Sequence, residues 1–373
     1  MTGHLTRRDF LRTAGVVMGG ALAAPLLPAN AAATRPLVAL AQADDYDRTL
    51  IRTRVTDMLD QLGGLGDVVR PGDTVVIKTN LTGGVWNEKV NVKPAVESYV
   101  THPEVVRALG EAVLDAGAGR LVIVEAVYDR ESFPRWGHRS VAKDLGATLM
   151  DLNDPAPDRE FVQQPVGPDW HVYESFAFNR VLVETDVFMS VAKMKCHASA
   201  GVTHSMKNLV GLVPAYFYRL NPEHNHRSAL HGPAENYRTR LPRVIVDLNR
   251  ARPIHFALID GVKTSQCGEG PWIWSWEPVQ PGVLVAGKNA VATDAVATAA
   301  MGFDPATRAF AAPPFRYCLN HLQLAARAGL GPHTLDEIEI VGAALEDVRF
   351  PFAPYEAPPR AHEPHIPGVY GVV

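Results

Sequence analysis

Unbroken apolar runs alternate along this chain with segments whose apolar residues recur every three or four positions. Gly72-Asp73 reads as a turn that opens the run Thr74-Val75-Val76-Ile77. Thr101-His102-Pro103-Glu104 reads as a helix start, with Thr101 and Glu104 at capping-box spacing. Val105, Val106, Leu109, Val113 and Ala116 then recur at helical spacing, and Leu121-Val122-Ile123-Val124 is the next strand, closing on Glu125. Further on, 141–145 and 241–251 read as helices, and 290–301 as an Ala-rich one. The stretches 148–152, 186–191, 256–259 and 283–285 read as strands. A strand that is apolar at every position has to be covered on both faces, since its successive side chains point to opposite sides. The expected fold is therefore α/β: a mostly parallel sheet with helices on both faces, in a single large domain or two lobes. No repeat of ~20–50 residues is present to suggest a solenoid instead.

The N-terminus is read separately. Thr6-Arg7-Arg8-Asp9-Phe10-Leu11-Arg12 precedes a weakly apolar run from Ala14 to Leu27, and Ala29-Asn30-Ala31 follows as a small-x-small pattern. This resembles a twin-arginine (Tat) signal peptide. The resemblance implies export of the folded chain by the Tat translocase to the periplasm or another extracytoplasmic space. Cargoes of that route often carry a cofactor, but the signal identifies none. The run is broken by Gly19, Gly20 and Pro25 and falls short of the ~20 residues a comfortable span needs, so no stable membrane anchor is expected. The expected layout is a signal peptide over 1–31, an α/β domain over 32–345 and a Pro-rich extended tail over 346–373.

Charge and cysteine content narrow the function classes. With 36 Lys+Arg against 40 Asp+Glu, the net charge of −4 offers no general basic face for nucleic acid. Cys196, Cys267 and Cys318 are the only cysteines and form no CxxC motif, so the chain holds no four-cysteine zinc or iron–sulfur site. At most one internal disulfide could form.

In open α/β sheets ligands bind beyond the carboxyl ends of the strands, so the polar residues directly after the apolar runs are the candidates. Lys78-Thr79-Asn80 follows the first run and suits an anion or carboxylate. The stretch from Val191 to Gly211 brings Lys193, Lys195, Cys196, His197, Thr203, His204, Lys207 and Asn208 after another strand. Gly201 would let the backbone approach a ligand. A helix from about Val202 would pair Thr203 with Lys207 and His204 with Asn208 on common faces. His224, His226 and His231 could ligate a metal, or belong to a loop that grips an anion. After the strand 256–259 come Asp260 and then Cys267-Gly268-Glu269-Gly270-Pro271. On an extended backbone Trp272, Trp274 and Trp276 would face one way as a stacking platform. Asp294 falls early in a helix, where a carboxylate suits the dipole in any case.

Several of these blocks together resemble the DUF362 family. They are Gly72-Asp73-Thr74-Val75-Val76-Ile77-Lys78-Thr79-Asn80-Leu81, Thr101-His102-Pro103-Glu104, Lys195-Cys196-His197 through Gly201-Val202-Thr203-His204-Ser205-Met206-Lys207-Asn208-Leu209-Val210-Gly211, Ile259-Asp260-Gly261, Gly268-Glu269-Gly270-Pro271 and Ala292-Thr293-Asp294-Ala295-Val296. The resemblance covers roughly 70–305. The name denotes a domain of unknown function, so it implies the fold and the place of the site rather than a reaction. Some relatives carry ferredoxin-type iron–sulfur motifs; this chain lacks their cysteine run.

Three functions are open at this level. One is an exported enzyme acting on a small anionic molecule, with Lys78, Asn80, Lys195, Thr203, Lys207, Asn208 and Glu269 binding it. His197, His204 and Asp260 would then carry or orient the proton transfer. The second is a non-catalytic ligand- or cofactor-binding protein using the same lysines. The third is a metal- or iron–sulfur-associated redox protein.

Overall fold

The computed structural model describes residues 35–357 apart from 90, 224–226 and 234. The expected signal peptide, His224, His226 and the end of the Pro-rich tail lie outside these residues. The strands are β1 (Leu37–Gln42), β2 (Thr74–Lys78), β3 (Arg120–Glu125), β4 (Thr148–Asp151), β5 (Val162–Pro165), β6 (Ser175–Phe178), β7 (Val187–His197), β8 (Gly201–Thr203), β9 (Phe256–Gln266), β10 (Glu277–Val279), β11 (Val283–Gly287) and β12 (Glu339–Gly342). The helices are α1 (Arg48–Gln61), α2 (Pro103–Asp115), α3 (Ser132–Arg135), α4 (His138–Asp144), α5 (Arg180–Glu184), α6 (Ser228–His231), α7 (Tyr237–Ala251), α8 (Ala290–Ala300), α9 (His321–Arg327) and α10 (Leu345–Val348). Among the described residues no helix is long and apolar enough to cross a membrane.

The main sheet runs β12-β1-β11-β9-β7-β2-β3-β4, with β10 added to β9 and β8 added to β7. Strands β9, β7, β2, β3 and β4 are parallel neighbours, as the apolar runs predict. β11 is the exception, lying antiparallel between β1 and β9. Its apolar run reports burial on both faces, which is indifferent to direction. β5 and β6 form a separate hairpin pair.

Side-chain alternation divides the core. Val75, Ile77, Leu121 and Ile123 point to the face covered by Ile51 and Val55 of α1 and Val105, Leu109 and Val113 of α2. Val76, Val122, Val124 and Phe188 point to the other face, against Val244 and Leu248 of α7 and Phe176 and Phe178 of β6. On that side α8 packs Val291, Ala295 and Val296 against Val38, Leu40, Ile259 and Val285.

Three local expectations are corrected. His102, not Thr101, caps α2: its Nδ1 accepts the Glu104 N–H at 3.2 Å. Thr101 is drawn into the sheet, its hydroxyl donating to the Val191 carbonyl at 3.0 Å and accepting from Asn80 N at 3.2 Å. No helix starts at Val202. Gly201 sits at φ +77, a left-handed conformation that returns the chain as β8 against the end of β7, with Thr203 opposite Lys195. A 3-10 helix over Lys207–Leu212 follows, so Thr203 and Lys207 do not share a helix face. Finally, 271–275 is a series of turns rather than extended chain, and the three tryptophans separate. Trp272 and Trp276 pack edge-on against Tyr99 at 5.6 and 6.1 Å, while Trp274 is exposed.

The described end of the chain is fastened to the body. Phe350 and Phe352 donate to the carbonyls of Ala300 and Met301, and Ala353 N–H donates to Gln266 Oε1 at 2.8 Å.

Candidate functional site

Because β2, β3, β7 and β9 are parallel neighbours, their carboxyl ends fall along one rim of the sheet. Lys78 ends β2, Glu125 ends β3, His197 ends β7, and Glu269 follows β9 by three residues. Lys207 and Asn208 open the 3-10 helix just after β8. Together with Asn80, Arg227, His231, Trp86 and Trp272 these residues line a cavity of about 230 Å³. That is smaller than the ~300–1,000 Å³ typical of drug-sized ligands and suits a small metabolite.

The floor is a saturated ion pair. Lys78 Nζ lies 2.7 Å from Glu125 Oε1 and also donates to the Thr79 carbonyl at 2.6 Å and to Asn208 Oδ1 at 3.1 Å. Its three protons are thereby taken. Glu125 accepts in addition from Ala126 N at 3.1 Å and Leu81 N at 2.8 Å. A Cβ on Gly211 would fall 2.3 Å from Glu125 Oε1 and 2.7 Å from Lys78 Nζ, so the glycine permits this pair. Burial brings the Lys78 ammonium down to about 8, and the Glu125 charge works against that fall. Asn208 Nδ2 donates to Ser190 Oγ at 3.0 Å, and Asn80 Nδ2 donates to Asn208 Oδ1 at 3.1 Å. Asn80 Oδ1 is buried with no hydrogen-bond partner among the described residues.

Lys207 differs from Lys78. Among the described residues no hydrogen bond or ion pair reaches its ammonium, although the residue is half-buried in the cavity wall. Burial lowers it to about 8; the Lys78 charge adds to the lowering and the Glu269 carboxylate opposes it. Arg227 donates its Nε to the Val213 carbonyl at 2.7 Å and one Nη to the Ala126 carbonyl, and packs over the Tyr128 ring.

His197 has a defined tautomer. Its Nδ1 accepts the Ser199 N–H at 3.0 Å, so in the neutral ring the proton sits on Nε2. Nε2 lies 3.8 Å from Glu269 Oε1. Burial, then the nearby Lys207 charge, holds the imidazole well below its usual range and keeps it neutral. Glu269 is fixed by Ala198 N–H to Oε2 at 3.1 Å and by Trp272 Nε1 to Oε1 at 3.4 Å. His231 stacks near His197, with ring centroids 6.4 Å apart.

The sequence candidates thus divide. Lys78, Asn80, His197, Lys207, Asn208, Glu269 and His231 meet at the cavity; Lys195, Thr203, His204 and Asp260 are absent from its lining. Lys195 is buried behind it, donating to the Tyr99 carbonyl at 2.6 Å and facing Thr203 across the β7–β8 ladder. His204 is buried against Met301, its Nε2 3.2 Å from the sulfur. Asp260 belongs to a second buried cluster, accepting from Tyr46 OH at 2.8 Å, Lys193 Nζ at 2.9 Å and His102 N at 3.0 Å. Asp294 clamps the turn after β8, accepting Ser205 N and Met206 N at 2.9 Å each.

Among the described residues no group of three or more His, Cys, Asp or Glu side chains is arranged to hold a metal. The three cysteines are free thiols. Reading the carboxyl ends of strands more strictly would have found Glu125. Arg227, Trp86 and Tyr128 come from distant loops and carry no local signal.

The arrangement defines a mixed α/β protein with a cationic, His-bearing cavity at the carboxyl rim of its parallel strands. The model of the family described as "Domain of unknown function (DUF362)" matches residues 75–299, more than half the chain, and the chain belongs to that family. A thylakoid-associated protein of Synechocystis sp. is 28% identical over 284 residues, covering 76% of this chain and 80% of that protein. A crystal structure of a Thermotoga maritima protein aligns at 12% identity with a TM-score of 0.33, covering 67% of this chain and 57% of that one.

Proposed function

We propose that this chain is exported by the twin-arginine route and that its Lys/His-rich cavity binds, and acts on, a small anionic molecule. The observation that carries the reading is Lys207: a half-buried cation on the cavity wall with no hydrogen bond or ion pair among the described residues. A buried charge without a partner is costly, and an anionic ligand relieves that cost. Lys78, Arg227 and Lys207 against Glu125 and Glu269 leave the wall with an excess of positive charge while His197 stays neutral. The Nε2–H of His197 supplies a neutral donor for a polar group of the same ligand.

Thermal-shift titration with phosphate and with short mono- and dicarboxylates tests the reading. A binding anion raises Tm in proportion to its saturation. Lys207→Gln is expected to abolish the rise, whereas Arg316→Gln, an exposed charge on the tail contact, leaves it intact. An equal rise in both variants, or none for any anion in the wild type, overturns the assignment. Recovery of a bound compound unchanged after turnover conditions would leave binding without action. Replacing Arg7 and Arg8 by Lys is expected to hold the chain in the cytoplasm; unaltered export would overturn that part.

A further inference from the structure

Four lysines gather beneath this rim, and the structure treats one of them unlike the rest. Lys193 is ion-paired with Asp260 at 2.9 Å and also donates to Tyr46 OH. Lys78 is ion-paired with Glu125 and saturated by two further acceptors. Lys195 gives a proton to the Tyr99 carbonyl and is walled off from the cavity. Lys207 combines access to the cavity with the lack of any hydrogen bond or ion pair among the described residues. An anion-binding lysine needs only charge. A buried lysine with another lysine nearby, and with the Glu269 carboxylate close enough to act on it but making no ion pair, has the setting of a nucleophilic amine.

We propose that Lys207 forms an imine with a carbonyl carbon of the bound molecule, which makes the ligand class a small carbonyl compound carrying a carboxylate or phosphate. The inference rests on the anion-binding reading and adds the carbonyl to it. In the step, the neutral amine of Lys207 adds to the carbonyl carbon, forming the C–N bond while the π pair moves to oxygen, which takes up a proton. The carbinolamine then loses that oxygen as water, the C–O bond breaking as the C=N bond forms. The two amine hydrogens leave with the carbonyl oxygen, and no oxidant or reductant is consumed.

The neighbours fit this division of work. The Nε2–H of His197 polarises the carbonyl oxygen without being able to protonate Lys207. Glu269, held by Ala198 N–H and facing His197, is the carboxylate that relays protons. Lys78 and Arg227 add to the positive field of the wall, and the anionic group binds beside Lys207 before the amine reacts. With the ammonium at about 8, about one Lys207 in ten is already an amine at pH 7, far more than for a solvated lysine.

The test is reductive trapping on the full chain. The protein is incubated with pyruvate, glyoxylate or glycolaldehyde phosphate plus cyanoborohydride, then digested and mapped by mass. The expected result is labelling of Lys207 at least tenfold faster than of any other lysine, slowed by excess phosphate, with a rate rising through a midpoint near pH 8. Lys207→Arg keeps the positive charge and is expected to lose the adduct while still binding phosphate in calorimetry. Anion binding with labelling spread evenly over surface lysines overturns the imine and leaves the anion site standing. Absence of both binding and selective labelling overturns both. Selective labelling that persists in Lys207→Arg assigns the amine to another residue and overturns this one.

Discussion

Replacing Lys207 by Met is expected to make the protein more stable and unable to bind its ligand. The substitution keeps the length and apolar stem of the side chain and removes only the charge. In the fold the ammonium titrates at about 8 instead of 10.5, which means that burial disfavours the charged form. At ~1.4 kcal/mol for each tenfold change, that displacement corresponds to an upper bound of roughly 3–4 kcal/mol of destabilisation at neutral pH. Lys207 keeps some contact with water, so a gain of about 1–3 kcal/mol for Lys207→Met is the expected range. The pH dependence carries the sign. Below pH 8 the lysine is charged in both folded and unfolded chains and the cost is present in full. Between pH 8 and 10.5 the unfolded chain still holds the proton that the folded chain has released, so wild-type stability rises with pH. The variant lacks that rise, and its advantage should shrink toward zero near pH 10.5. Urea denaturation of both proteins at pH 7, 9 and 10.5, without added anions, measures the difference. A destabilised variant at pH 7, or a difference that does not change with pH, would refute the picture of a desolvated cation awaiting a counter-charge.

Three further outcomes follow from the same geometry. Glu125→Ala leaves Lys78 buried without its carboxylate and strips the acceptor from Leu81 N, so a loss of about 3–5 kcal/mol in denaturant titration is expected. Gly211→Ala inserts a methyl 2.3 Å from Glu125 Oε1, and about 1–3 kcal/mol of overpacking cost is expected together with weaker phosphate binding. Burial holds the His204 and His321 imidazoles down at about 3 and His138 at about 4, so all three stay neutral in the fold. Below about pH 6.5 the unfolded chain takes up protons these rings refuse, and stability falls as the pH drops toward 3. His321→Leu should make that fall shallower by up to ~1.4 kcal/mol per pH unit, measurable by denaturation between pH 4 and 6.5.

What the sequence made legible follows from which forces leave a local trace. Burial on both faces writes itself into Val75-Val76-Ile77 and Leu121–Val124, and so the parallel centre of the sheet and the rim holding Lys78 could be read directly. Strand β7 was legible only as far as Val191, because Lys193 and Lys195 look like the start of a solvated loop. Their ammoniums are instead carried inward, one to Asp260 and one to the Tyr99 carbonyl. The same disguise hides the end of β9. Helix α1 could have been seen from the spacing of Ile51, Val55, Met58 and Leu59, but its many polar residues obscure the stripe.

The site shows the sharper limit. Lys78, Lys195 and Lys207 look alike in sequence, three cations near strand ends. Their chemistry is separated by partners drawn from elsewhere: Glu125 from β3, Tyr99 from the loop before α2, and for Lys207 no hydrogen-bonding or ion-paired group among the described residues. One lysine becomes a neutralised floor, one a buried tether and one a cavity-wall cation with no ion pair among the described residues. That difference is a property of the parallel order β9-β7-β2-β3, which brings four strand ends to one rim and lets a glycine at 211 close over the ion pair. The lysine left unneutralised by this arrangement is the one whose removal should both stabilise the fold and silence the site.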